Sequence, residues 1–220
     1  MRIVDTLAEQ ERLEQLLEET KPAVPPECRH LHYLLSTPFR YGAPYPRGSR
    51  FRRAGMTPGV FYASHTVTTA VAEMTFARLL FFAESPATPW PANPSEYTAF
   101  QARFHTKTGL DLTAAPFDRA RTRLIHPTDY ETCQALGEAA RAAGVQAIRY
   151  PSARDPDSGV NVAVLTCAAL TAHTPLERQT WRLHLDRGGV RAVCAFPERR
   201  LSFDTTAFAR DPRIAALYHL

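Results

Sequence analysis

The sequence predicts a mixed α+β fold in a single domain, with mostly antiparallel sheets and flanking helices. Three observations carry that prediction. Helix-opening signals stand at Thr6, at Ser64 or Thr66, and at Thr128. Short apolar segments of strand length lie at 59–63, 145–150 and 160–166. Two alternating segments flank Asp186-Arg187-Gly188-Gly189, which reads as a hairpin turn. Strands of antiparallel character with irregularly spaced helices point away from a regular βαβ series.

The first helix opens on the capping box Thr6-Leu7-Ala8-Glu9 and carries a partial stripe of Leu7, Leu13, Leu16 and Leu17. Pro22, Pro25 and Pro26 end it. It reads as an appended surface helix that packs on its own domain, with docking of a partner as the other use of the stripe. Segment 31–35 is apolar and fits a strand or a helix. Segment 36–58 reads as a long loop with four prolines, and loops of that length are commonly functional or disordered. A buried strand at 59–63 leads into a helix whose apolar face is Val67, Ala70, Val71, Met74, Ala77 and Phe81. Glu73 borders that face.

Beyond the proline-rich stretch 86–94, residues 97–106 alternate in part and read as a strand. Thr128-Asp129-Tyr130-Glu131 is a second capping box, and its helix runs to Ala143 with Gly144 as C-terminal cap. Strands follow at 145–150 and 160–166, then the hairpin 180–185 and 190–196, a further strand at 200–204, and a short helix after Pro212. There is no internal repeat.

Bulk properties narrow the function classes. The 220 residues are 45% hydrophobic and 22% charged, as in soluble globular domains. A net charge of +4 favours anionic ligands without by itself arguing for DNA binding. Cys28, Cys133, Cys167 and Cys194 are scattered without a C-x-x-C and read as reduced thiols of a cytoplasmic protein. The N-terminus lacks a signal-peptide apolar core, and no apolar run is long enough to span a bilayer. Walker A, G-x-G-x-x-G and H-E-x-x-H motifs are absent. His30-Leu31-His32 lacks evident partners for a metal, and none is expected.

The chemistry concentrates in 37–73. Arg40, Arg47, Arg50, Arg52 and Arg53 suit phosphate, Tyr41 and Tyr62 suit a flat ring, and Glu73 suits a developing cation. Each residue also has a plain reading: a glutamate paired with an arginine, packing aromatics, and a solvated basic loop. Ser152 in Pro151-Ser152-Ala153 is outside any G-x-S-x-G elbow, which disfavours a hydrolase nucleophile.

An ordered series runs through the chain. It comprises Phe39-Arg40-Tyr41, Gly48-Ser49-Arg50-Phe51, Val60-Phe61-Tyr62-Ala63-Ser64, Thr69-Ala70-Val71-Ala72-Glu73, Tyr150-Pro151-Ser152-Ala153 and Asn161. This series resembles the RES domain, with a match from about Leu31 to about Ala195. The resemblance implies a fold related to ADP-ribosyltransferase toxins, NAD as substrate, and the toxin role in a toxin–antitoxin pair with a small helical Xre-type partner. It implies Arg40, Glu73 and Ser152 as catalytic residues and Tyr41, Arg50, Tyr62 and Asn161 as NAD contacts. No prosthetic group is implied, and inorganic phosphate is the expected co-substrate. Ser49-Arg50-Phe51 stands where many members have Gly-Arg-Trp.

The chain then divides into an N-terminal helical extension (1–28), a RES domain (29–205) and a C-terminal helical tail (206–220). The expected reaction is cleavage of the nicotinamide–ribose bond, by phosphorolysis or hydrolysis. Transfer of ADP-ribose to protein, a nucleic-acid-binding toxin that uses the arginine loop, and a non-catalytic binding module are the rival readings.

Overall fold

The second half of the chain is dominated by strands whose side chains alternate between a packed face and an open one. In β6 (Arg178–Asp186), Trp181, Leu183 and Leu185 are buried while Arg182 is exposed. The computed structural model of the protein describes residues 6–40, 48–55 and 58–218, without the side chains of Leu7, Glu14 and Tyr218. Tyr41 and Arg47 lie outside the described residues.

Two four-stranded sheets form a single-domain α+β fold. The first has the order β1-β5-β4-β3, from β1 (Phe61–Ser64), β3 (Gly109–Asp111), β4 (Ala147–Pro151) and β5 (Val160–Val164). The β3–β4 pair is parallel and the others are antiparallel. The second has the order β2-β6-β7-β8, with β2 (Ser95–Phe100), β6, β7 (Gly189–Cys194) and β8 (Arg199–Asp204), all antiparallel.

Helices cover both sheets because each sheet presents apolar side chains that water would otherwise touch. Helix α1 (Leu7–Glu19) stands at the periphery, with Leu16 and Leu17 exposed. Its capping box forms as expected, with Thr6 Oγ1 accepting from the Glu9 N–H and Glu9 Oε2 accepting from the Thr6 N–H. Helix α2 (Tyr33–Arg40) lays Leu35 and Phe39 on one face of the first sheet, against Phe61, Val162 and Val164. The other face, with Ile148, Tyr150 and Ala163, is covered by Cys133 and Ala140 of α5 (Glu131–Ala142), and by Phe51, Leu112 and Leu124. Leu124 ends the short α4 (Arg121–Leu124). Helix α3 (Val67–Glu84) puts Val71, Ala72, Phe76, Leu79 and Phe82 on the second sheet, with Ile214 of α6 (Pro212–Ala215) closing the same core.

The structure departs from the sequence expectations at Pro38, at Thr128 and at two of the cysteines. Helix α2 includes Pro38 and occupies the start of the expected 36–58 loop, since burial of Leu35 and Phe39 outweighs the lost backbone donor. Of the two expected caps of α3, Thr66 is the one used, accepting from the Thr69 N–H. The Thr128 capping box does not form. His126 Nδ1 accepts from the Asp129 N–H at 2.8 Å, and Asp129 accepts from the Glu131 N–H at 2.9 Å. Finally, Cys28 and Cys167 are not reduced thiols but a disulfide, with Cα atoms 5.8 Å apart across 139 residues of sequence. Two short 3-10 helices (Pro26–Cys28 and Cys167–Ala169) bring them together, while Cys133 and Cys194 remain free and buried.

Candidate active site

Antiparallel pairing fixes which side chains share a face of the first sheet. Ser64 pairs with Asn161 and Asn161 pairs with Tyr150, so the three lie side by side across β1, β5 and β4. Tyr62, two residues before Ser64, points to the same face. Glu73 reaches this patch from α3.

The contacts between these residues form one chain of hydrogen bonds. Ser64 Oγ donates to Asn161 Oδ1 at 2.7 Å, and Asn161 Nδ2 donates to Glu73 Oε1 at 2.5 Å. Ser152 Oγ donates to the same Oε1 at 2.7 Å. The Ser152 oxygen in turn accepts from the N–H groups of Arg154 at 3.1 Å and Asp155 at 2.9 Å. Ser152 and Asn161 are both buried. Glu73 makes no ion pair among the described residues, and its Oε2 has no hydrogen-bond partner among them. Among the described residues Glu73 has no arginine partner, unlike the plain reading of it as one half of a glutamate–arginine pair. Two neutral donors hold the carboxylate without cancelling its charge.

Tyr150 is buried beside this group, paired with Asn161 across the β4–β5 register. Burial first, then the nearby Glu73 charge, holds its phenol well above the usual range, so it stays protonated. Tyr62 is 38% exposed, and its hydroxyl is hydrogen-bonded to the 49–51 segment. It shares a hydrogen bond of 2.8 Å with Ser49 Oγ and accepts from the Phe51 N–H at 3.0 Å. Burial raises its pKa, and those two bonds pull the other way.

Arg50 and Arg53 of the basic loop are bonded to the protein. Arg50 is buried, and its guanidinium donates to the Leu124 carbonyl at 2.6 Å and the His126 carbonyl at 3.1 Å while stacking on Tyr130. It is a strut for the loop, not a free cation. Arg53 pairs with Glu138 at 2.7 Å. Gln134 donates to the carbonyls of Ser49 and Arg52, and a side chain at Gly137 would meet the Phe51 carbonyl. The loop is clamped on α5, and the clamp sets the position of the Tyr62 hydroxyl.

Arg40 is also engaged, and not with Glu73. Its Nε donates to the Pro22 carbonyl at 2.8 Å, and its terminal nitrogen lies 2.6 Å from Glu18 Oε1 of α1. The structure thus gathers Glu73, Ser152, Asn161 and Tyr62 around one sheet face and leaves Arg40 and Arg50 in other contacts.

A family scan matches the RES domain over residues 24–186. The chain belongs to the RES domain family. A search of curated proteins finds no match. The RES match begins after α1 and ends in β6, while β7 and β8 extend the second sheet beyond it.

Two residues of this patch were not singled out in the sequence: Ser64, read there as one of two alternative helix caps, and Tyr150, both quoted otherwise only within motifs. Strand alternation from Tyr62 marks Ser64 as a same-face neighbour. Tyr150 is placed by the β4–β5 register, which no single segment contains. A cleft of about 660 Å³ opens between β1, β2, β6 and the start of α3. Its wall includes Tyr62, Ser64, Ala70 and Met74, the last two flanking Glu73 on α3.

Proposed function

We propose that this RES-family protein is an NAD-consuming enzyme that cleaves the nicotinamide–ribose bond, with Glu73 stabilising the cationic ribose. The observation that carries the reading is the Glu73 carboxylate, fixed through one oxygen by Ser152 and Asn161 and without a counter-cation among the described residues. In NAD the bond to the positively charged nicotinamide breaks as neutral nicotinamide departs, and positive charge moves onto the ribose. A preoriented, uncompensated carboxylate favours that transition state more than the ground state. Tyr62 offers an aromatic face beside it.

Ser152 acts here as a positioning residue. Its proton goes to Glu73 and its oxygen already accepts two backbone N–H groups, so it is not poised as a nucleophile. The acceptor of the ribose is then a small oxygen nucleophile. We take inorganic phosphate as that acceptor on the strength of the family resemblance. Arg50 and Arg53, which suit phosphate by residue type, are bonded to the protein. The same resemblance supports a toxin role opposed by a small helical Xre-type partner.

The test is to incubate purified protein with NAD, in phosphate-free buffer and with millimolar phosphate, and to resolve products by mass. Nicotinamide release with an ADP-ribose phosphate formed only in phosphate supports phosphorolysis. Plain ADP-ribose at equal rates shows hydrolysis, and label on protein shows a transferase. No nicotinamide release in either buffer overturns the reading.

A further inference from the structure

We propose that Asp211, in the C-terminal segment beyond the RES match, is a positioning residue for Glu73 that acts through Arg154 and Ser152. The inference rests on the reading of Glu73 as the group that acts on substrate. It does not depend on which acceptor takes the ribose.

The link between the two carboxylates is continuous. Glu73 Oε1 accepts from Ser152 Oγ, and Ser152 Oγ accepts from the Arg154 N–H. The side chain of the same arginine is buried, and its Nη1 donates to Asp211 Oδ2 at 3.0 Å. Its Nη2 donates to the Pro127 carbonyl and to the Tyr130 hydroxyl, and the guanidinium lies 3.8 Å from the centre of the Phe76 ring. Of these four partners only Asp211 is a carboxylate. Without it Arg154 is a buried cation among weaker partners. Such a group moves toward water, and the 152–155 turn moves with it.

Asp211 is itself fixed to the core that carries Glu73. It caps α6, with Oδ1 accepting from the Arg213 N–H and its carbonyl accepting from the Ile214 N–H, both at 3.0 Å. Its own N–H donates to the Phe208 carbonyl at 3.0 Å. Ile214 and Phe208 are buried in the same core as Val71, Ala72 and Phe76 of α3, the helix that presents Glu73. Ser152, by contrast, follows directly on β4 of the first sheet, and its N–H donates to the Gly159 carbonyl at 2.7 Å. The Ser152–Glu73 bond therefore spans two packing units. The Arg154–Asp211 pair ties the Ser152 turn to the unit on which Glu73 rides, and so holds donor and acceptor at their distance.

The test uses the full chain carrying Asp211→Asn, with Arg213→Gln as control. Arg213→Gln takes a partly exposed cation from Asp211 and leaves the Arg154 pair in place. Should Asp211→Asn not fold, Arg154→Met/Asp211→Leu replaces it, because that pair leaves neither buried charge behind. Amide hydrogen exchange is measured first, since it needs no substrate. The Asp155 N–H, which donates to Ser152 Oγ at 2.9 Å, should exchange at least about tenfold faster relative to the Ala163 amide of β5, and not in the control. Kinetics follow. The kcat for NAD should fall roughly tenfold with KM little changed, as for a misplaced reacting group. Adding Asp211→Asn to Ser152→Ala should cost less than about a further twofold, because both changes act through one hydroxyl. Unchanged Asp155 exchange, or exchange accelerated equally in the control, overturns the proposal. So does a wild-type kcat, or a full further loss on the Ser152→Ala background. A wild-type protein that releases no nicotinamide defeats the NAD reading instead, and the exchange measurement then decides this proposal alone.

Discussion

Ser152 Oγ lies 2.7 Å from Glu73 Oε1, and the two residues are 79 positions apart in sequence. The hydroxyl spends its one proton on the carboxylate, and the N–H groups of Arg154 and Asp155 orient it to do so. Ser152→Ala removes that donor and leaves Asn161 as the one remaining donor to Glu73 among the described residues. The carboxylate then gains freedom to rotate. NAD turnover should fall by roughly 10- to 100-fold in kcat with little change in KM, since misplacement of a reacting group acts on the chemical step. Steady-state kinetics of the variant checks this. A rise in KM at unchanged kcat would make Ser152 a ligand contact instead.

Arg50 offers a test of strut against ligand contact. Arg50→Lys keeps the charge but cannot serve both the Leu124 and His126 carbonyls while stacking on Tyr130. The expected result is a stability loss of about 1–3 kcal/mol, as for a buried acceptor left unpaired. The KM for NAD should be unchanged in whatever fraction remains folded. Chemical denaturation and kinetics on the same preparation separate the two effects.

The disulfide joins the segment after α1 to the end of the first sheet. Cys28→Ser/Cys167→Ser should lower unfolding free energy by about 2–4 kcal/mol, because a closure spanning 139 residues restricts the unfolded chain strongly. Wild-type protein in excess reductant should lose a similar amount. Identical denaturation midpoints for the two proteins under oxidising conditions would show that the bridge contributes nothing.

Asp211 links stability to acid pH. Burial alone would raise its pKa, but the side-chain and backbone bonds with Arg213 and the charges of Arg154 and Arg213 outweigh it and hold the pKa below the usual carboxylate value. A group depressed in the folded state contributes stability that is present above its unfolded value, near pH 3.9, and is lost as pH falls through its folded pKa. Asp211→Asn should cost about 3–5 kcal/mol at neutral pH, since Arg154 is buried and would lose its charge partner. The variant's stability should also fall less than the wild type's on acidification below pH 4. Parallel denaturation curves at neutral and acid pH provide the measurement.

Much of the fold was legible because it was local. The α1 capping box needs only Thr6 and Glu9, and the β6–β7 hairpin needs only alternation around Asp186-Arg187-Gly188-Gly189. What failed depended on competition or distance. At Thr128 the expected cap lost to His126 and Asp129, which offer the backbone N–H groups nearer acceptors. At Pro38 tertiary burial overrode a helix breaker. Cys28 and Cys167 meet only when two distant turns are packed together. The site divided the same way. Glu73, Ser152, Asn161 and Tyr62 followed from an ordered series of motifs, and the structure brings them to one sheet face. For the arginines, sequence shows a cation but not the carbonyl or carboxylate that its guanidinium meets in the fold. Arg50 and Arg53 find such partners on α5 and its approach.

The central claim is that an uncompensated negative charge at Glu73 drives cleavage of NAD. Glu73→Gln keeps the side-chain size and the Oε1 acceptor for Ser152 and Asn161, and it removes only the charge. The most direct measurement is nicotinamide release by this variant, taken beside its melting temperature. The account predicts a loss of about 10²-fold or more in turnover at an unchanged melting temperature. Turnover near that of the wild-type protein would contradict it.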